Sequence, residues 1–461
     1  MMRAEIDKMS KMRRAGVLLH PTALPQGVLD ENVELFLNWM AQAGLSVWQM
    51  LPLGAPHSDH SPYQAYSAYA LNPALLPENL STVTVDEDNL LTFIQNESAW
   101  LDDYALFVTL SESYDNRPWS EWPIPYRYRH KDALESFSTE NKDRLHGLKR
   151  QQYLLFQRWQ EIKEIAHQQG IILFGDLPIA VSYDSADVWA QPGLFKLDEQ
   201  LRPTVVAGVP PDYFSETGQR WGNPHYNWDK MESNRFAWWR ARMAGALRQF
   251  DLVRIDHFRG LQALWEIPAT AETAVEGRWV KTPGRQLLEA LRDDFPDMPF
   301  VAEDLGVINA EVEALRDDFG LPGLSVLQFG FSGDSDNPHS ISNQIENSVV
   351  YTGTHDNNTT CGWFNALDPE LQHQVLQQLP QDAGSMPWPL IEAALQSPAQ
   401  TAIIPMQDWL ALDGEHRTNT PGTTENNWVW KFSWDQVSAQ LTEKIRDRLE
   451  RNQRTNSKGS I

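Results

Sequence analysis

The amino-acid sequence predicts an α/β fold, a (β/α)8 TIM barrel with insertion subdomains between strands 2 and 3 and between strands 3 and 4. Eight short apolar runs bounded by turn residues have the pattern of buried strands, and helical patterns separate most of them. Buried parallel strands need crossover helices, which favours a closed barrel. Two connections, residues 54–170 and 178–251, are far too long for ordinary loops and are expected to form the insertions. The alternative is an open doubly wound sheet, which the count of eight strands disfavours.

Strand and helix candidates alternate along most of the chain. The apolar runs predict strands at Gly16–His20, Val47–Leu53, Ile171–Leu177, Leu252–His257, Phe300–Leu305, Ser325–Phe331, Val349–Asp356 and Ala402–Trp409. Apolar residues at helical spacing predict helices at Asn32–Ala43, Trp100–Asp115, Asp143–His167, Gly284–Asp294, Ala310–Phe319, Pro369–Leu379, Leu390–Gln396 and Trp434–Arg451. Because Gln191–Trp228 is rich in proline, glycine and aromatic residues, we expect an ordered loop there. Residues 1–461 are thus expected to form a single barrel that carries both insertions.

Composition and charge restrict the class of protein. Of the 461 residues, 41% are hydrophobic and 22% charged, so the chain can bury a large core and is expected to be globular and soluble. The 62 acidic against 38 basic residues give a formal charge of -24, which repels nucleic acid and anionic membranes. The single cysteine, Cys361, rules out an intrachain disulfide. Since no apolar run has the length of a signal peptide core or a membrane span, we expect a cytoplasmic protein.

Polar or ionisable residues recur where the predicted strands end. They are His20, Asp176, Asp256 with His257, Glu303 with Asp304, His355 with Asp356, and Gln407 with Asp408. Active sites of (β/α)8 barrels lie at the carboxyl ends of the strands, so the recurrence predicts a pocket lined by carboxylates. The alternative for any single residue is a strand end that is polar because it is close to solvent.

Chemistries other than sugar transfer fit these residues less well. The sequence contains no convincing glycine-rich phosphate loop. A metal site is the less favoured alternative, because adjacent strand residues point to opposite faces and each Asp-His pair offers one inward ligand. Two acids with opposite roles suit cleavage of a glycosidic bond. The 19 tryptophans and the aromatic residues of the predicted loops suit contact with sugar rings, although core packing is the alternative for each.

Longer motifs occur in a fixed order along the chain. They include GVLLHPTALP from Gly16, SPYQAYSAYALNP from Ser61, VAGVPPDYFSETGQRWGNPHYNW from Val206, VRIDHFRG from Val253, VAEDLGVI from Val301 and YTGTHDNNT from Tyr351. The set resembles the 4-alpha-glucanotransferases of the amylomaltase, or disproportionating enzyme, type (glycoside hydrolase family 77). This resemblance implies a retaining mechanism, alpha-1,4-glucans and maltooligosaccharides as substrates, glucose as an acceptor, and no metal or organic cofactor.

The resemblance also implies roles for the acids. Asp256 matches the nucleophile that forms a covalent glucosyl-enzyme intermediate, Glu303 the general acid and base, and Asp356 a third acid that grips sugar hydroxyls. Arg254, on the same strand face as Asp256, is expected to hold that carboxylate ionised. His355 matches a hydroxyl ligand, with a core histidine as the alternative. In a sugar complex, the carboxyl groups of Asp256 and Glu303 should lie roughly 5 to 5.5 Å apart.

Further substrate contacts are implied less directly. They are Ser61, Tyr63, Asp212, Gln219, Trp221, Asp304 and Asn419, each with a structural role as the alternative. The loop around Asp212 and Trp221 is expected to cover the active site. The chain departs from the family pattern in QGVLDENVEL after Pro25, in EHRTNTPGT, and at Lys431, where arginine is expected. These departures affect the outer sugar subsites.

Three functions stay open at this point. The first is a transferase that moves alpha-1,4-glucan segments between chains. The second is an alpha-glucan hydrolase on the same scaffold, in which water replaces the acceptor sugar. The third is a non-catalytic glucan-binding protein, against which the three intact acids argue.

Overall fold

Eight parallel strands form a nearly closed barrel. The computed structural model describes residues 13–211, 215–423 and 425–456. Numbering all strands along the chain, the barrel consists of β1 (Arg14–Leu18), β2 (Val47–Gln49), β3 (Ile172–Leu177), β6 (Leu252–Ile255), β9 (Phe300–Ala302), β10 (Gly323–Val326), β11 (Ser348–Tyr351) and β12 (Thr401–Pro405). A second sheet contains β4 (Val205–Val209), β5 (Gln219–Pro224), β7 (Ala263–Pro268) and β8 (Arg278–Lys281).

The order of the barrel strands is β10-β11-β12-β1-β2-β3-β6-β9. The two ends of this sheet meet where the backbone N–H of Ala302 donates to the oxygen of Pro322 at 2.8 Å. The predicted (β/α)8 barrel is therefore confirmed. Seven of the eight strands end earlier than predicted, because the chain leaves the sheet before its polar residues, whereas β3 ends at Leu177 as predicted and includes Asp176. The eighth strand ends at Pro405, after which a helix begins.

Alternating side chains give the barrel an inner and an outer apolar layer. Phe174, Val301 and Ile403 belong to a compact inner cluster. Trp48, by contrast, packs against the rings of Phe36 and Trp159 on the surrounding helices. Every second side chain of a strand points into the barrel. Polar residues at the strand ends that continue this alternation therefore point inward as well.

Helices form the crossover connections and most of the insertions. Along the chain they are α1 (Glu31–Ala43), α2 (Glu78–Ser81), α3 (Glu87–Asn96), α4 (Ser98–Ser113), α5 (Ile124–Arg127), α6 (Lys131–Glu140), α7 (Lys142–Gln168), α8 (Ala186–Ala190), α9 (Trp228–Ser233), α10 (Ala237–Gln249), α11 (Gly284–Asp294), α12 (Ala310–Asp318), α13 (Thr360–Ala366), α14 (Pro369–Gln378), α15 (Trp388–Gln396), α16 (Met406–Trp409) and α17 (Ala439–Arg451). Among the residues described, none of these helices has the length and apolarity needed to cross a bilayer.

Seven of the eight predicted helices begin and end within two residues of their predicted bounds. The prediction of one continuous helix over Trp434–Arg451 was wrong. A short 3-10 turn at Trp434–Gln436 is followed by α17, because the Ser438 side chain accepts the backbone N–H of Leu441 and starts a new helix.

The second sheet was not predicted, and the loop expected over Gln191–Trp228 contains β4 and β5. Its strands are antiparallel in the order β5-β4-β7-β8. Glycine and proline within β4 and β5 weaken their strand signal, although the pairing itself requires a glycine. A Cβ on Gly208 would lie 2.1 Å from the backbone oxygen of Gln219.

Arg454 connects several backbone segments at the amino-terminal end of the barrel. The side chain is fully buried and donates to the backbone oxygens of Leu395, Ser397, Ala399 and Arg14 at 2.7 to 2.9 Å. Burial lowers the pKa of this guanidinium to about 9. The first and last barrel strands are thus joined by one side chain as well as by their own ladder.

Candidate active site

Three acids predicted from the sequence lie at the carboxyl ends of barrel strands. Asp256 follows β6, Glu303 follows β9, and Asp356 lies in the loop after β11. All barrel strands are parallel, so their carboxyl ends meet at one rim. Since β6 and β9 are neighbours, Asp256 and Glu303 stand side by side there.

Arg254 connects the nucleophile candidate to a second carboxylate. Its Nη1 lies 2.8 Å from Oδ1 of Asp256 and 2.9 and 2.7 Å from the two carboxylate oxygens of Asp176. The hydroxyl of Tyr63 donates to Asp176 at 2.8 Å. Burial disfavours a charged guanidinium, but the neighbouring carboxylates outweigh it and raise the pKa of Arg254 well above its usual value. Arg254 is therefore a permanent cation, and it is paired with Asp256 by a charge-assisted contact.

Glu303 occupies a contrasting environment. Its carboxyl group accepts the backbone N–H of His257 at 2.6 Å and that of Leu305 at 3.0 Å. These bonds and Arg254 favour the ionised form. Burial, with the nearby Asp256 carboxylate, outweighs them and raises the pKa of Glu303 to about 8. The result is a carboxyl group paired with a cation, Asp256, beside an acid that is protonated at neutral pH, Glu303, and two acids in contrasting environments are what glycoside cleavage requires.

Loops around the third acid hold it from several directions. Nδ2 of Asn419 donates to Oδ1 of Asp356 at 2.6 Å, and Arg417 donates to its backbone oxygen at 2.8 Å. Nε2 of His355 lies 3.4 Å from Oδ2 of Asp356. The His355 ring stacks on Tyr63 with a centroid distance of 5.3 Å, which ties this loop to the Arg254 network.

Trp221 lies on β5 of the second sheet, near the carboxyl end of β6. Its ring meets that of His257 at a centroid distance of 4.9 Å, and its indole N–H donates to Oε1 of Gln219 at 3.2 Å. His257 has a left-handed backbone conformation, with φ 51°, and burial lowers the pKa of its ring to about 4. Trp221 therefore contacts the residue that directly follows Asp256, and Gln219 is bonded to Trp221.

The remaining residues predicted to contact the substrate are Ser61, Asp304 and Asp212. Ser61 lies in the loop that carries Tyr63, and its backbone N–H donates to Asp59. Asp304 is occupied by protein groups, since it pairs with Arg316 and accepts the backbone N–H of Leu324 at 2.7 Å. This geometry gives Asp304 a structural role at the junction of β9 and β10. Asp212 lies outside the described residues.

Two features of the site were not assigned from the sequence. Asp176 was noted as a strand-end acid, but its partnership with Arg254 follows from the β3-β6 register, in which the two residues are paired. Arg417 belongs to a segment that departs from the family pattern. The alternation of side chains along β3 indicates that Asp176 points into the barrel. No sequence pattern indicates that Arg417 belongs to the site.

A cavity of about 880 Å³ lies next to the loop that carries Asp356. Its lining includes His355 from that loop and the aromatic side chains of Trp428, Trp430, Tyr66 and His57. Two of the family departures meet here, since Nζ of Lys431 donates to the backbone oxygen of Gln26 at 2.9 Å. Aromatic faces and scattered polar groups are suited to a chain of sugar rings.

Comparisons with known proteins agree with this geometry. The family model described as 4-alpha-glucanotransferase, glycoside hydrolase family 77, matches residues 19–86 and 78–437. A 4-alpha-glucanotransferase of Thermus thermophilus is 41% identical over 96% of this chain and 99% of its own length. One from Synechocystis is 41% identical over 93% of this chain and 96% of its own.

The chain is also similar to solved structures of amylomaltases. Amylomaltase from Streptococcus agalactiae, in complex with acarbose, superposes with a TM-score of 0.92 and 31% identity, covering 96% of this chain and all of that one. Amylomaltase from Corynebacterium glutamicum, at 16% identity and a TM-score of 0.78, shares the fold. Given a matching family model over most of its length and relatives aligned from end to end, the chain belongs to the 4-alpha-glucanotransferase family.

Proposed function

We propose that this 4-alpha-glucanotransferase acts by a retaining double displacement, with Asp256 as nucleophile and Glu303 as acid and base. The observation that carries the proposal is the contrast between the two acids. Asp256 is bonded to the permanently charged Arg254, whereas burial keeps Glu303 protonated at neutral pH. Neither role needs a metal or an organic cofactor, because nucleophile and acid are side chains.

In the first step, a carboxylate oxygen of Asp256 bonds to the anomeric carbon of the donor as the glycosidic bond breaks. Glu303 gives its proton to the leaving oxygen, which departs with the reducing-end fragment. In the second step, the 4-hydroxyl of an acceptor sugar loses its proton to the Glu303 carboxylate and its oxygen displaces Asp256. One alpha-1,4 bond is broken and one is made, so no water is consumed.

Asp356 and His355 bind sugar hydroxyls in this scheme. His355 lines the cavity and stacks on Tyr63, whose hydroxyl is bonded to the Asp176–Arg254 network that holds Asp256, and Asp356 is the next residue along the loop. The reacting glucosyl unit has to lie near this point for Asp256 to reach it. Hydroxyl contacts that strengthen as the ring distorts lower the barrier of both steps.

Maltooligosaccharides are the proposed donors, and glucose and shorter chains the acceptors. The cavity beside His355 has room for several glucosyl units of the donor. Trp221 contacts the residue that directly follows Asp256 and limits the access of water, which favours transfer over hydrolysis. We also infer that the enzyme binds acarbose, and that it works in the cytoplasm, which its single cysteine suits.

Incubation with purified maltotriose tests the proposal. Transfer should give glucose and a ladder of longer maltooligosaccharides while the number of reducing ends stays nearly constant. A reducing-end count that rises steadily identifies a hydrolase instead. A glucan-binding protein without activity leaves maltotriose unchanged.

A further inference from the structure

Asp408 holds both ends of the loop that carries Asp356. It lies in α16, directly after the eighth barrel strand, and is 1% exposed. Its Oδ2 accepts hydrogen bonds of 2.6 Å from the hydroxyls of Thr352 and Thr360, and its Oδ1 accepts one of 2.7 Å from the backbone N–H of Thr360. Thr352 directly follows β11 and Thr360 begins α13, so a single buried carboxylate fastens the loop where it begins and where it ends.

Gln407, the preceding residue, holds a second loop in a similar way. Its amide donates at 3.1 and 2.8 Å to the two residues that flank Arg417, one through a backbone oxygen and one through a hydroxyl. Arg417 and Asn419 on this loop are the residues that bond to the backbone oxygen and Oδ1 of Asp356. Gln407 and Asp408 therefore anchor the two loops that meet at Asp356.

The Asp356 side chain itself is 49% exposed, so packing does not hold it in place. We propose that Gln407 and Asp408 are positioning residues that set the place of Asp356 relative to the reacting sugar through these two loops. The inference rests on the proposed role of Asp356. Its mechanical basis is that catalytic groups must be held within a fraction of an ångström, which an exposed side chain on a free loop cannot achieve.

The central test is a pair of substitutions at Thr352, whose side chain is fully buried. Thr352→Val keeps the shape and removes the hydroxyl that donates to Asp408, whereas Thr352→Ser keeps the hydroxyl. We expect Thr352→Val and Asp408→Asn to lower kcat for maltotriose disproportionation about ten- to a hundredfold with a smaller change in KM. Thr352→Ser should restore most of the activity. Glu392→Gln, which breaks the buried pair of Glu392 with Arg448 far from the rim, is the control for lost stability and should leave kcat unchanged.

Binding of acarbose separates positioning from general weakening of the fold. If Asp408 acts through Asp356, Asp408→Asn weakens acarbose binding in the wild-type background but adds little in the Asp356→Asn background. Equal weakening in both backgrounds, or a wild-type kcat for Asp408→Asn and Thr352→Val, overturns the inference while leaving the proposed function intact. A wild-type kcat for Asp356→Asn overturns instead the proposed role of Asp356.

Discussion

Nη1 of Arg254 lies 2.8 Å from Oδ1 of Asp256, two residues further along the same chain. The strand delivers both side chains to the inside of the barrel, and the ladder with β3 places Asp176 against the same Nη1. The strand that presents the nucleophile candidate thus also supplies the cation that pairs with it. This arrangement leads to the first of five predictions.

Arg254→Ala should lower kcat by at least about a hundredfold, because the charge-assisted contacts to Asp256 and to the buried Asp176 are lost and the two carboxylates no longer share a cation. Steady-state kinetics with maltotriose measure the effect, and circular dichroism checks the fold. Arg240→Ala is a matched control, since Arg240 pairs with Asp294 at 2.5 Å on the surface. A loss of the same size in both variants contradicts a specific role for Arg254.

The rate of the first chemical step should fall as pH rises through about 8. Glu303 has to be protonated to act as an acid, and its pKa is raised to about 8, so the active form is present below that value and lost above it. Glu303→Gln should lower kcat roughly 10² to 10⁴-fold and remove this alkaline limb from the residual activity. Single-turnover rates measured between pH 5 and 10 check this, and a first-step rate that rises through pH 8 contradicts it.

The same raised pKa affects stability. A carboxyl group whose pKa is higher in the folded than in the unfolded state stabilises the fold most below the unfolded value, and this contribution is lost as pH rises through the folded value. Glu303→Gln should therefore unfold at a higher temperature than the wild type at pH 9, with a smaller difference at pH 4. Thermal unfolding of both proteins across this range provides the measurement.

Asp256→Asn should abolish turnover, by roughly a thousandfold or more, while the protein stays folded. The amide keeps the shape of the side chain but cannot attack the anomeric carbon. Acid quench followed by intact-mass measurement should show glucosyl adducts on the wild type that are absent from the variant. An adduct of the same mass on Asp256→Asn places the nucleophile elsewhere.

Lys431→Ala should change the preference for chain length. Its ammonium ties the backbone at Gln26 and so supports one wall of the cavity next to the loop that carries Asp356. We expect kcat/KM for maltoheptaose to fall about threefold relative to that for maltotriose, which corresponds to about 0.65 kcal/mol. Lys131→Ala, at an exposed helix position, is the control. An unchanged ratio shows that this wall does not touch the donor.

The barrel and its acids could be predicted because their signals are local. Each buried parallel strand is an apolar run, and each acid stands where such a run ends, as Asp256 and Glu303 do. The second sheet could not be predicted in this way, because β4 and β5 acquire their pairing only from tertiary contacts, and their glycines weaken the local signal. The bond of Asn419 to Asp356 joins loops that are far apart in sequence, so only the fold brings them together.

The hydrogen bonds of Arg454 to the start of β1 and to the segment before β12 have a consequence for the order of folding. During synthesis β1 is made long before its partner β12, and Arg454 is made later still. Contacts of such long sequence separation are slow to form, because the chain between them must first be closed into a loop. The barrel therefore cannot close before β12 has been made, and until then the edge of β1 is open to pairing with other chains.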